Sequence, residues 1–254
     1  MANTVFNNEV IEAKAEDLLA TAVNTRTLMT IDNTLAAEAG MTKTINVYTY
    51  SGTAEELAAG QGNTNRGSIT YAGKDYTVKM VQQAFDYQDE DFMKDNTIVD
   101  NMLKGANQVM VNKMTADFIA EAAKATLEQE GAVAYDTIVD AIAKMNLEDE
   151  AGIFVLVNPE GKAALRKDPD YVAARMGEVV YNGQVGTIAG LPVVVSKAVE
   201  GAYVMHKDAI KLFMKKDVEV EQERDADTRT NSVYLRSAYI CALVDATKIV
   251  KIAG

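Results

Sequence analysis

The sequence predicts an α+β fold on three observations: one long amphipathic helix near mid-chain, a C-terminal third of β-branched alternation, and two strand-like runs flanking a glycine-rich excursion. At about 150 residues per domain, its 254 residues make one large domain or two small ones. Hydrophobic residues at 48% and charged residues at 24% suit a globular chain and exclude a disordered or collagen-like one.

Residues 9–40 read as a weakly broken helix. Val10, Ala13, Leu18, Ala22 and Val23 recur near a 3.6-residue period, Asp32 offers a cap for a second segment through Leu35 and Ala39, and Gly40 ends it. From Thr44 the pattern turns to strand with Ile45, Val47, Tyr48 and Tyr50. Gly52, Gly60, Gly62, Asn63, Asn65 and Gly67 interrupt it, and Ile69, Tyr71, Tyr76 and Val78 resume it. A connection this long without a core of its own is uncommon unless it is a lid, a binding loop or a segment ordered by a partner.

Residues 97–128 carry the strongest helical stripe, with Ile98, Met102, Ala106, Val109, Met110, Met114, Phe118, Ala122 and Leu127. Such a helix spans about 45 Å. The acidic run Asp89 to Asp95 lies at its N-terminus, where the helix dipole favours negative charge. After Gly131, a helix containing Ile138, Ile142 and Met145 precedes a buried strand over residues 153–157, and Asn158 and Pro159 cap a short helix through Leu165. Residues 186–195 read as strand, tight turn, strand. The tail is strand-rich at 203–205, 210–214, 218–223, 232–243 and 248–252.

Charge and chemistry narrow the function. With 25 Lys and Arg against 37 Asp and Glu, the net charge is −12, and the acidic excess over Asp86, Asp89, Glu90, Asp91, Asp95 and Asp100 argues against gripping nucleic acid. Cys241 is alone, so it makes neither an intramolecular disulfide nor a thiolate metal cage, and its apolar setting reads as core. Glu9, Glu12, Glu16 and Asp17 break up the N-terminus, and no apolar run reaches the ~18 residues of a membrane span, which predicts a soluble chain made in the cytosol.

No catalytic motif is complete. His206 is the single histidine, Ser196 is the nearest suggestive serine, and there is no Gly-x-Ser-x-Gly elbow. Gly67 to Lys74 has five residues between its glycines where a phosphate loop has four, and Asp75 replaces the magnesium-binding hydroxyl. Gly60 and Gly62 begin a dinucleotide fingerprint that no third glycine or alanine completes and no helix pattern follows. Asp225 and Asp227 are candidate cation ligands, but the expected arrangement is a strand end paired with Arg224 and Arg229. No metal and no cofactor is expected.

The order of elements resembles the major capsid proteins of tailed bacteriophages, with the Hong Kong ninety-seven type fold. The arm, glycine-rich strand excursion and long helix are similar to that family's N-terminal arm, extended β loop and spine helix. Gly186-Thr187-Ile188-Ala189-Gly190-Leu191-Pro192-Val193-Val194-Val195-Ser196 resembles its Gly-x-Pro-Val strand-turn-strand in the axial domain, turning at Gly190 and Pro192. The β-rich segment from Ala202 to Ile252, including Glu219, Glu221, Glu223, Arg224 and Asp225 ahead of a long strand, completes the likeness. The resemblance implies an N-terminal arm over 1–43, an extended loop over 44–80, a peripheral domain with the spine helix over 81–130, an axial domain over 131–205 and a β-rich return to the peripheral domain over 206–254.

It further implies a non-enzymatic shell subunit that assembles as hexamers and pentamers into an icosahedral phage head around double-stranded DNA, which the acidic charge would let slide past the wall. Tyr48, Tyr50, Arg66, Tyr71, Lys74 and Tyr76 are the expected inter-subunit contacts, the tyrosines offering apolar area with hydroxyls. Some members cross-link through a loop lysine, a position Lys74 matches. A short arm implies a separate scaffold protein, none, or processing, and a portal is a further expected partner. The other readings are an encapsulin-like nanocompartment shell, a soluble carboxylate enzyme using Asp225 and Asp227 under a lid of residues 51–74, and an adhesin-like binding module.

Overall fold

Local preference sets most elements, and strand pairing decides where several of them end. The computed structural model describes residues 25–37, 39–95, 97–170 and 186–253. In chain order these hold a 3₁₀ turn (Thr25–Leu28), β1 (Thr30–Asp32), α1 (Thr34–Ala37), β2 (Thr42–Ser51), β3 (Ser68–Thr77), β4 (Lys79–Gln88), α2 (Asp89–Lys94), α3 (Ile98–Ala122) and β5 (Leu127–Glu130). There follow α4 (Tyr135–Met145), β6 (Ile153–Val157), α5 (Pro159–Lys167), β7 (Thr187–Ile188), β8 (Leu191–Val195), β9 (Ala202–His206), β10 (Ile210–Asp225), β11 (Thr230–Leu243) and β12 (Ile249–Ala253).

Three sheets result. One is four-stranded, β1-β10-β11-β4; one is six-stranded, β5-β12-β9-β6-β8-β7; the third is the hairpin β2-β3. Helix α3 joins the two larger sheets. Its N-terminal half packs Leu103, Ala106 and Met110 on Val220, Val233 and Leu235 of the four-stranded sheet. Its C-terminal half sends Phe118 and Ala122 against Phe154, Leu156 and Met205 of the six-stranded sheet. Helices α4 and α5 cover that sheet's other face, with Ile138 and Leu165 on Val155, Val157 and Val204. Both faces are therefore covered, which is why β6 is an unbroken apolar run.

The Asn158–Pro159 start forms as expected: the Asn158 side chain accepts from the Gly161 N–H at 2.6 Å, and Pro159 fills the first turn, where no amide partner is needed.

Several expectations are corrected. Among the described residues of the expected arm helix, Thr30–Asp32 is a strand running parallel to β10, and only Thr34–Ala37 is α-helical; residues 9–24 lie outside the described part. Asp32 does accept from the Thr34 N–H at the start of that turn. The long helix stops at Ala122, because Leu127–Glu130 instead pairs with β12, so it is about 37 Å long. Its buried face is also turned: Val99, Leu103 and Val111 are buried and Val109 is exposed. Residues 79–88, not read as strand, form β4 along β11; inward Gln83 and outward Met80 blur the alternation. The segments 210–214 and 218–223 are one strand, kinked by irregularities between Met214 and Glu219 that preserve pairing on both sides. The six-stranded sheet also recruits Leu127–Glu130 and Ile249–Ala253 from either side of the expected axial segment.

Asn107 is a local conflict on the buried face of α3. Its side-chain amide is buried with neither its nitrogen nor its oxygen hydrogen-bonded to any described residue. An unsatisfied buried amide costs about 1–3 kcal/mol, so Asn107→Leu, which keeps the branched outline of the side chain and removes both polar atoms, is expected to raise the urea midpoint by an amount equivalent to about 1 kcal/mol with an unchanged slope.

Candidate functional site

The hairpin β2–β3 pairs over ten residues, from Thr42 with Thr77 to Ser51 with Ser68, and joins neither larger sheet. Side chains alternate across a strand, so Tyr48, Tyr50, Ile69 and Tyr71 share one face, and Lys43, Ile45, Lys74 and Tyr76 share the other. The two faces meet different surroundings. At the base, Tyr76 stacks on Phe213 with ring centroids 5.4 Å apart and donates its hydroxyl to the Leu243 carbonyl at 3.2 Å. Lys74 donates to the same carbonyl at 3.4 Å and lies 5.3 Å from the Tyr76 ring. Leu35, Val78, Ala238 and Ala242 complete this anchor.

On the opposite face, Tyr48, Tyr50, Ile69 and Tyr71 are 66%, 67%, 64% and 73% exposed, while Tyr76 is 6% exposed. The rings of Tyr48 and Tyr71 lean together 6.2 Å apart. The grouping of four tyrosines into one contact surface is thus corrected: Tyr76 holds the hairpin to its own subunit, and Lys74 sits at that docked base. Ile69 belongs to the outward patch in its place. Period-two parity between Tyr71 and Tyr76 was the available signal.

Polar cross-strand pairs hold the register. Thr42 and Thr77 hydroxyls lie 3.0 Å apart, Thr44 donates to Asp75 at 2.6 Å, and Ser51 and Ser68 hydroxyls lie 2.8 Å apart. Beyond them the tip, residues 52–67, is organised by hydrogen bonds. Glu55 accepts from the Thr64 N–H and hydroxyl, both at 2.8 Å, and these bonds hold its carboxyl below the usual carboxylate range. Asn65 donates to the Thr53 hydroxyl. The Tyr50 ring lies so close to the hairpin neck that a Cβ on Gly67 would come within 2.0 Å of its hydroxyl. Arg66 is exposed on the tip.

The expected turn at Gly190 and Pro192 forms between β7 and β8. Ile188 pairs with Leu191 and Thr187 with Pro192, leaving Ala189 and Gly190 as a two-residue loop with φ of 48° and 81°, the primed geometry that suits strand twist. A Cβ on Gly190 would touch nothing within 4 Å, so substitution there reads backbone strain alone. Gly190→Val is expected to cost about 1–2 kcal/mol by urea unfolding.

The residues weighed for catalysis have structural partners. His206 Nδ1 accepts from the Asp208 N–H at 3.1 Å, and Nε2 faces the Ala151 carbonyl at 2.8 Å. Ser196 accepts from the Ala198 N–H. Asp225 accepts from the Asp227 N–H and the Thr228 hydroxyl, capping the β10–β11 turn, and those bonds lower its pKa. The expected pairing with Arg224 and Arg229 is corrected: Arg224 bonds Asp89 and Arg229 bonds Glu90, tying α2 to that turn. Burial pushes the Cys241 thiol up to about 12, with Asp117 and Glu121 adding to the rise. Among the described residues no cluster of three or more His, Cys, Asp or Glu is placed to hold a metal ion. No described helix is long and apolar enough to cross a membrane.

Two sheets bridged by one helix, with an anchored hairpin outside both, make up the Hong Kong ninety-seven type capsid fold. The chain belongs to the phage capsid protein family, whose profile matches residues 70–252. It is 25% identical over 230 residues to the major capsid protein of Staphylococcus phage phiMR11, covering 87% of this chain and 84% of that one. Among solved structures it is similar to the capsid of a native GTA particle, with a TM-score of 0.72 at 14% identity over 90% of this chain and 89% of the other. It is similar also to the mature capsid of bacteriophage PhiM1, with a TM-score of 0.71 at 11% identity over 100% of this chain and 90% of the other.

Proposed function

We propose that this chain is the major shell subunit of a tailed-phage head, closing as hexamers and pentamers around double-stranded DNA. The observation that carries the reading is the outward hairpin face of Tyr48, Tyr50, Ile69 and Tyr71, which no described element of its own subunit covers. An isolated two-stranded hairpin is marginal in water, and a contiguous aromatic patch favours a protein contact. A neighbouring copy laid against this face supplies the missing cover, with the exposed Arg66 of the tip beside it. The six-stranded sheet with its two helices serves as the axial domain, and the four-stranded sheet with α3 as the peripheral one.

The subunit's role is structural and needs no catalysis. Its net charge of −12 keeps packaged DNA from adhering to the wall. A separate scaffold and a portal are the remaining partners, and the subunit, made in the host cytoplasm, ends in the virion. Lys74 contributes to the hairpin base in this reading, not to a cross-link. Sedimentation velocity of the recombinant chain across concentration and salt, with negative-stain microscopy of fast fractions, tests it. Shells or rings of five and six are expected; a monomer or dimer that never assembles, even with a candidate scaffold added, overturns it.

A further inference from the structure

A cavity of about 170 Å³ lies where α3 meets the six-stranded sheet and the 3₁₀ turn, lined by Thr25, Thr115, Phe118, Leu156, Val194 and Val199 among others. Three properties define what it accepts. Its volume is close to that of cavities that take up a single benzene ring. Its described lining is mainly apolar, and none of those side chains is charged, so an ion entering it would lose its hydration without compensation. Finally, the Thr25 hydroxyl is buried in this wall with no hydrogen-bond partner among the described residues. A buried hydroxyl left unpaired is an uncompensated cost that a ligand atom would remove.

We infer that this cavity is a binding site for a neutral, ring-sized amphiphile that places its apolar body against Phe118 and Val194 and a single hydroxyl or carbonyl on the Thr25 hydroxyl. The site shares no lining residue with the hairpin. Because its walls come from the bridging helix and from β6 and β8, an occupant ties helix to sheet and raises the unfolding temperature of the subunit by mass action.

Phenol, uncharged at pH 7, and benzene are the paired probes, tested on the full chain by thermal unfolding and by titration calorimetry. Saturable binding with Kd on the order of millimolar is expected, with phenol favoured over benzene about three- to tenfold through the one hydrogen bond. Thr25→Val keeps the shape and removes the hydroxyl, so the preference should vanish while benzene still binds. Val194→Phe fills the cavity, and both probes should be lost. If neither probe binds saturably, or if phenol keeps its preference in Thr25→Val, the site is overturned. Should Val194→Phe fail to fold, the Thr25→Val comparison still decides.

Discussion

Replacing Tyr48 and Tyr71 together with serine is expected to abolish shell closure while leaving the subunit folded with its unfolding midpoint nearly unchanged. Both rings are largely exposed in the subunit, so their loss removes little from the folded chain. Against a neighbouring copy each would bury roughly 100 Å² of apolar ring, about 2.5 kcal/mol at 25 cal/mol per Å². Loss of both weakens one contact by about 5 kcal/mol, a factor of roughly 10³–10⁴, and every subunit in a shell repeats the loss. Sedimentation velocity beside a urea titration reads both halves of the expectation. Normal shells from the double variant would remove the hairpin face from the assembly contact.

Phe118→Ala is expected to produce the largest loss of stability, about 3–5 kcal/mol. Phe118 is fully buried where α3 crosses from one sheet to the other. It also borders the 170 Å³ cavity, so truncation enlarges an existing void whose walls cannot easily collapse. The urea midpoint should fall with the slope held, because the same surface is exposed on unfolding. Phe118→Leu should recover most of the loss, since it refills most of the volume. A cost near 1 kcal/mol for the alanine variant would mean that the helix and the six-stranded sheet are not coupled through this ring.

Much of this was readable in advance wherever a residue's reason lies within a few positions of it. The unbroken Ile153–Val157 run, the Asn158–Pro159 helix start and the Ala189–Gly190 turn each follow from local backbone and side-chain preference, and the structure places each where expected. The outward hairpin was half legible. Its strands and its tyrosines were evident, yet separating Tyr76 from Tyr71 required counting faces along β3, and burying Tyr76 required Phe213, far away in the chain.

The elements that escaped are those whose identity depends on distant partners. Lys79–Gln88 has a poor alternation of its own and is strand because β11 offers it ten paired positions. Leu127 continues the helical stripe in sequence, but β12 captures the segment as a parallel edge strand. Arg224 and Arg229 have acidic neighbours in sequence and instead bond Asp89 and Glu90, which only the fold brings near.

The sequence by itself therefore determined the α+β class, the order of elements, the glycine-rich hairpin and the lack of a complete catalytic motif, because these rest on composition and short-range periodicity. Only the tertiary structure decided which tyrosines face outward, where the long helix stops, which arginines pair with which acids, and that a hydroxyl at Thr25 lies beside a cavity with no partner among the described residues. Those outcomes depend on strand register and burial between residues remote in the chain, and no local pattern encodes which of two competing partners wins.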